Sequence, residues 1–250
     1  MKQPLVSIIT PSYNSKRFIS ETIESIRNQT YQNYELIIVD DCSKDDSWEF
    51  IKGYVSNDSR IRIFQLDKNS GAALARNHGI RQAKGKYLAF LDSDDVWHPQ
   101  KLEKQVNFME KNGYNFTFTN YEMMDEQGAD LNRQVLCPPA INYKQLLKNT
   151  TIGCLTVMLN IQKLGPVQMP NLQPEDTALW LKILRNNEQA YCLQEILASY
   201  RVVGNSASSN KLNVAKKMWI VYRKSEEIPT WRASWYFIRY AINAVKKHYL

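Results

Sequence analysis

Residues 86–95, Lys-Tyr-Leu-Ala-Phe-Leu-Asp-Ser-Asp-Asp, pair an unbroken apolar run with three carboxylates. A run without polar alternation reads as a strand buried on both faces. Leu5–Thr10 (LVSIIT), Tyr34–Val39 (YELIIV) and Ile61–Leu66 read the same way. Helical patterns separate them. Ser15–Gln29 carries the stripe Phe18, Ile19, Ile23 and Ile26. Ser43 offers an N-cap, with Asp46 three residues on, to a helix that buries Trp48, Ile51, Tyr54 and Val55. Gly71–Lys84 is an Ala-rich helix, and Pro99 suits the first turn of another running to about Asn112. Buried strands alternating with amphipathic helices predict an α/β fold with a mostly parallel central sheet flanked by helices.

The second half is less regular. Phe116–Asp125 and Thr151–Ile161 read as strands. Glu175–Asn186 reads as a helix with Leu179, Trp180, Ile183 and Leu184 on one side. The last forty residues read as helical, broken near Pro229. The expected organisation is one domain over residues 1–210 and a C-terminal helical, basic appendage over 211–250.

Composition narrows the function classes. With 250 residues, 44% hydrophobic and 23% charged, the chain is neither disordered nor fibrous. Residues 211–250 hold nine Lys/Arg against two acids, so the whole net charge of +7 lies there. The body is neutral, which argues against a nucleic-acid-binding surface. Cys42, Cys137, Cys154 and Cys192 form no C-x-x-C pair, so neither a zinc site nor a disulfide framework is expected. No apolar stretch reaches the roughly 18 residues of a membrane span. An intracellular protein is expected.

Acids stand just past two strand ends: Asp40 and Asp41 after the second, Asp92, Asp94 and Asp95 after the fourth. Ligands of open α/β sheets bind outside the carboxyl ends of strands. Carboxylates gathered there repel one another unless a cation or ligand offsets the charge. The D-x-D spacing offers hard oxygen ligands that suit Mn²⁺ or Mg²⁺. Between the clusters, Asn69–Asn77 (NSGAALARN) is not G-x-G-x-x-G, so a dinucleotide fold is poorly supported. Small residues at 71–73 allow close approach of a ligand to a helix N-terminus, and Arg76 can reach a diphosphate or the acids. Pro174-Glu175-Asp176 opens a helix with acids in its first turn, which is sound helix chemistry and also places a candidate general base.

Five motifs occur in order: Thr10-Pro11-Ser12-Tyr13-Asn14, Val39-Asp40-Asp41-Cys42-Ser43, Asn69-x-Gly71 with Ala75-Arg76-Asn77, Leu91-Asp92-Ser93-Asp94-Asp95, and Glu175-Asp176-x-x-Leu179-Trp180. In this the chain resembles the family 2, GT-A-fold, inverting glycosyltransferases over roughly residues 4–210. Tyr200-Arg201 with Asn205-Ser206-x-Ser208-Ser209-Asn210-Lys211 resembles a narrower branch acting in teichuronic-acid, O-antigen or capsule synthesis, some on undecaprenyl-diphosphate-linked sugars.

The resemblance implies roles. Pro11 and Tyr13 would line the nucleobase pocket. Asp40 or Asp41 would bind uracil or ribose, with Lys68, Gly71 and Arg76 nearby. Asp92, beside Ser93, would contact ribose, and Asp94 would hold the Mn²⁺ or Mg²⁺. Asp176 would be the catalytic base with Glu175 as its neighbour. Many relatives carry a His two residues after the Tyr-Arg pair, where this chain has Val203. The implied reaction moves a sugar from a UDP-sugar to a saccharide acceptor on a lipid diphosphate, at the cytoplasmic face of the membrane. The basic, aromatic tail suits an anionic membrane surface. Two other readings compete: a phospho-receiver, which would need neither Glu175-Asp176 nor the 69–77 segment, and an inactive sugar-nucleotide-binding subunit.

Overall fold

The computed structural model describes residues 3–149, 151–204 and 211–249. Strand β1 (Val6–Ser12) is buried along its length and pairs in parallel with β2 (Tyr34–Asp40). Helix α1 (Ile19–Arg27) joins them and buries Ile19, Ile23 and Ile26. Helix α2 (Ser47–Val55) leads to β3 (Ile61–Gln65), which lies parallel to β2. Helix α3 (Ala72–Gln82) returns the chain to β4 (Tyr87–Phe90), parallel to β1 on its other side. Gly79 permits close packing of α3, because a Cβ there would lie 2.8 Å from Ile9 Cγ2.

One helix start differs from expectation. α2 begins at Ser47 rather than after Ser43. The Ser43 hydroxyl and N–H both donate to Asp40 instead, which pins the β2–α2 loop. Ser47 Oγ accepts the N–H groups of Ser15 and Lys16 at 2.8 and 2.9 Å, tying that helix to the loop after β1.

The remaining elements are β5 (Val96–Trp97), α4 (Lys101–Asn112), β6 (Phe116–Met124), β7 (Asp130–Val135), β8 (Ala140–Ile141) and α5 (Tyr143–Leu146). There follow β9 (Met158–Asn160), α6 (Ile161–Leu164), α7 (Glu175–Leu184) and β10 (Ala190–Arg201). The sheet order is β3-β2-β1-β4-β9-β6-β10-β5, with β7 beside β6 and β8 beside β10. The parallel expectation holds from β3 to β4. Beyond it the sheet is mixed: β9 runs antiparallel to both β4 and β6, while β10 runs parallel to β6. Of the strand expected over 151–161, only β9 is extended, and Cys154–Thr156 forms a tight helical turn.

The C-terminal segment consists of α8 (Lys211–Ile220), a wide turn at Val221–Ser225 and α9 (Thr230–Tyr249). It packs on the body. Met218, Val221, Tyr222, Ala233, Tyr236 and Tyr240 join the common core. Tyr222 donates to the Leu147 carbonyl at 2.7 Å. The buried Glu226 carboxylate accepts from Tyr143 of α5 at 2.7 Å and pairs with Arg185, just past α7. The motif residues Asn205–Asn210 lie outside the described residues.

Candidate active site

β1, β2 and β4 end at one edge of the sheet, and the acids of the sequence motifs gather there. Asp92, Asp95 and Asp176 line one cleft of about 290 Å³ together with Tyr121, Tyr200 and Met218. Met218 comes from α8, so the C-terminal segment helps to wall the cleft.

Arg76 is the hub. It lies buried on α3, with Nη2 2.5 Å from Asp92 Oδ1 and Nη1 2.6 Å from Glu175 Oε1. One side chain thus links α3, the end of β4 and the start of α7. Burial opposes its charge, but Asp92 and Glu175 outweigh that and raise its pKa well above the ordinary value. Its Nε is buried without a hydrogen-bond partner. Glu175, expected beside the base, is committed to this ion pair and anchors α7.

Asp176 stands next to it, half-buried at the helix N-terminus. Its Oδ1 accepts the Thr177 N–H at 2.6 Å. Burial first, and then the Glu175 charge, pushes its carboxyl up to about 6. At neutral pH it is mostly ionised, with a proton affinity matched to general-base work.

Asp94 is pushed up to about 6 by burial and by the neighbouring Asp92 charge. Asp95 is buried and raised further above the carboxylate range, by burial and then by Asp94 and Asp92. Its Oδ1 accepts the Arg201 N–H at 2.9 Å. The buried Arg201 guanidinium in turn donates to the Asp94 carbonyl at 2.7 Å, to the Glu126 carbonyl at 3.1 Å and to Glu21. Arg201 therefore holds the Asp92–Asp95 loop in shape. That role was not legible from the motif.

The β2-end acids are occupied within the protein. Asp40 accepts from Ser43 and from Gln65 Nε2 at 3.1 Å. Asp41 accepts the N–H groups of Ser70 and Gly71 at 2.8 and 2.7 Å. Both carboxylates are buried, so they shape the loops over β1 and β2. Gly71 caps α3 with φ at +88°, a left-handed value that L side chains resist. Gly71→Ala is expected to cost about 1–2 kcal/mol through backbone strain. Denaturant unfolding checks this; space is not the issue, because nothing lies within 4 Å of a built Cβ. Pro11 is buried in β1 opposite Val39, Tyr13 is exposed just beyond the strand, and Lys68 is exposed before α3. Ser93 is half-buried between the acids. Val203 is half-buried, two residues past Arg201.

Among the described residues, no group of three His, Cys, Asp or Glu side chains is arranged to hold a metal unaided. The donor chemistry nevertheless fits a hard divalent cation. The Asp94 and Asp95 carboxyls are raised by burial first and then by neighbouring Asp charges, and a cation would offset that second contribution. Substrate oxygens and water would complete such a shell.

Carboxylates at the carboxyl edge of an α/β sheet, one of them paired with a buried arginine, mark a candidate active site. Residues 7–163 match the family model described as Glycosyl transferase family 2, and the chain belongs to that family. TuaG of Bacillus subtilis (strain 168), assigned provisionally by its name to teichuronic acid biosynthesis, is 47% identical over 246 residues, 98% of each chain. The Escherichia coli UDP-Glc:alpha-D-GlcNAc-diphosphoundecaprenol beta-1,3-glucosyltransferase WfgD is 41% identical over 249 residues, 99% of this chain and 96% of WfgD. The mannosyltransferase PcManGT of Pyrobaculum calidifontis, solved with GDP-Man and Mn²⁺, superposes with a TM-score of 0.70 at 15% identity. The match covers 97% of this chain and 74% of PcManGT. The GT-A fold expected from the motifs is thus the fold observed, and the phospho-receiver alternative falls.

Proposed function

We propose that the enzyme transfers a sugar, with inversion, from a UDP-sugar to a saccharide linked to a lipid diphosphate, in bacterial surface polysaccharide synthesis. The observation that carries this reading is the convergence of Asp92, Asp176 and the Arg76 clamp on one cleft. The donor and acceptor classes draw on the name of WfgD, which specifies UDP-Glc, a diphosphoundecaprenol-linked acceptor and a β product.

The acceptor enters beside Asp176. The base takes the proton of the acceptor hydroxyl as the oxygen attacks the anomeric carbon from the face opposite the leaving diphosphate. Negative charge builds on UDP as the glycosidic bond breaks. Arg76, behind Asp92, contributes positive charge near there. Asp92, beside Ser93, would contact ribose, and Pro11 and Tyr13 would line the nucleobase pocket. Asp40 or Asp41 would bind uracil or ribose, with Lys68 and Gly71 nearby. When bound at Asp94, Mn²⁺ or Mg²⁺ supplies Lewis-acid stabilisation of the diphosphate.

Release of UDP from a panel of UDP-sugars, with and without an α-GlcNAc-diphosphate-lipid acceptor, tests the assignment. No release from any UDP-sugar would overturn it. It would also revive the inactive sugar-nucleotide-binding subunit. Asp94→Ala tests the metal. The variant is expected to fold normally and to lose at least tenfold in Mn²⁺-dependent UDP affinity, read by calorimetry. Equal UDP binding by both proteins in Mn²⁺ would remove Asp94 from the metal site.

A further inference from the structure

Helix α9 has two apolar faces, and only one is covered. Ala233, Tyr236 and Tyr240 face the body and are buried. Trp231, Trp235, Ile238 and Ile242 are exposed by 75%, 46%, 58% and 45%. Their spacing of four, three and four residues keeps them within an arc of about 60° on the opposite side. These four are a large share of the exposed large apolar side chains among the described residues. A continuous stripe of this kind marks an interaction surface rather than scattered surface apolars.

Its surroundings identify the partner. Arg232 lies over the Trp231 ring at 5.7 Å, and Arg239 and Lys148 lie over Trp235 at 5.5 and 5.1 Å. From Ile228 to Leu250 the sequence contains no acid. A second copy of the chain would bring the same cations against these, which disfavours a symmetric dimer through this face. The stripe runs about 16 Å along the helix, too short to span a bilayer. Among the described residues, no helix is long and apolar enough to cross a membrane. Tryptophan and isoleucine on one face with arginines along its edge match a helix lying in the headgroup region of an anionic membrane.

We propose that α9 is an interfacial helix that inserts Trp231, Trp235, Ile238 and Ile242 into an anionic lipid surface. The inference rests on the lipid-linked acceptor reading and gives it a geometry. The covered face of α9 joins the common core, and Glu226, just before α9, bonds Tyr143 of α5 and Arg185, which directly follows α7, the helix that carries Asp176. A docked α9 therefore holds the cleft at a set orientation to the membrane that presents the acceptor.

The test uses the full chain and vesicles of phosphatidylcholine with and without phosphatidylglycerol. Wild type is expected to co-sediment with the anionic vesicles, more weakly at high salt. The double variant Trp231→Ala/Trp235→Ala should lose at least tenfold in binding. Arg232→Gln/Arg239→Gln should lose the preference for phosphatidylglycerol. These side chains are exposed, so both variants should melt near the wild-type temperature. Equal binding to neutral vesicles, absent binding by wild type, or unchanged binding by the tryptophan variant would each overturn the proposal. Concentration-dependent dimerisation lost in the tryptophan variant, without vesicle binding, would assign the stripe to a second copy instead. Vesicle binding as expected without turnover of a lipid-linked acceptor would count against the acceptor reading alone.

Discussion

Asp176→Asn is expected to lower kcat by about 10²-fold or more, with little change in UDP-sugar affinity. The amide keeps the shape of the side chain and loses the basic oxygen. The pH profile gives a second readout. The Asp176 carboxyl is pushed up to about 6, so wild-type turnover should fall as pH drops through that value. The residual activity of the Asn variant should lack this limb. Stability should move the other way. The usual Asp value is 3.8, so the folded state binds this proton more tightly than the unfolded chain and loses stability as pH rises from 3.8 to about 6. Removing the charge should raise the melting temperature at pH 7 and have little effect at pH 3.5. An Asn variant that turns over near the wild-type rate places the base elsewhere. Asp95 is then a poor second choice, because it is buried and holds the Arg201 N–H.

Arg76→Ala is expected to cost about 3–5 kcal/mol, the usual effect of removing one partner from a buried charge cluster. The loss leaves Asp92 and Glu175 facing each other without the cation between them. Arg76→Lys should recover only part, because an ammonium cannot span two carboxylates with the reach of a guanidinium. Urea unfolding with an unchanged slope measures the change. A loss below about 1 kcal/mol would show that the clamp does not hold the site together. UDP release by the folded fraction should also fall, since both Asp92 and the start of α7 lose their anchor.

Periodicity alone revealed β1, β2, β3, β4 and the helices between them. β1, β2 and β4 are buried along their length, so their sequences are mostly apolar runs, while β3 is only partly buried and carries Arg62 and Gln65; each helix carries its core stripe locally. The acids of the site were legible for a related reason: residues that follow a parallel strand stand at the edge where ligands bind. Strand β10 was not legible. Gln194 and Glu195 interrupt it, and register shifts between Leu193 and Ile196 and between Ile196 and Ser199 break its period. The antiparallel placement of β9 likewise depends on two partners distant in the chain, β4 and β6.

From the order of its motifs, the sequence by itself determined the family, the α/β class and the carboxylates available for chemistry. Tertiary structure decided how those carboxylates are used. The acids look equivalent in the motifs, yet each meets different partners: Ser43 at Asp40, Ser70 and Gly71 at Asp41, Arg76 at Asp92 and the Arg201 N–H at Asp95. Arg76 and Glu175 are 99 residues apart and become partners only when α3 and α7 meet. Composition located the basic tail but could not divide its aromatic residues. Packing buried Tyr236 and Tyr240 and left Trp231 and Trp235 in solvent, because a helix against a body covers one side of itself and no more.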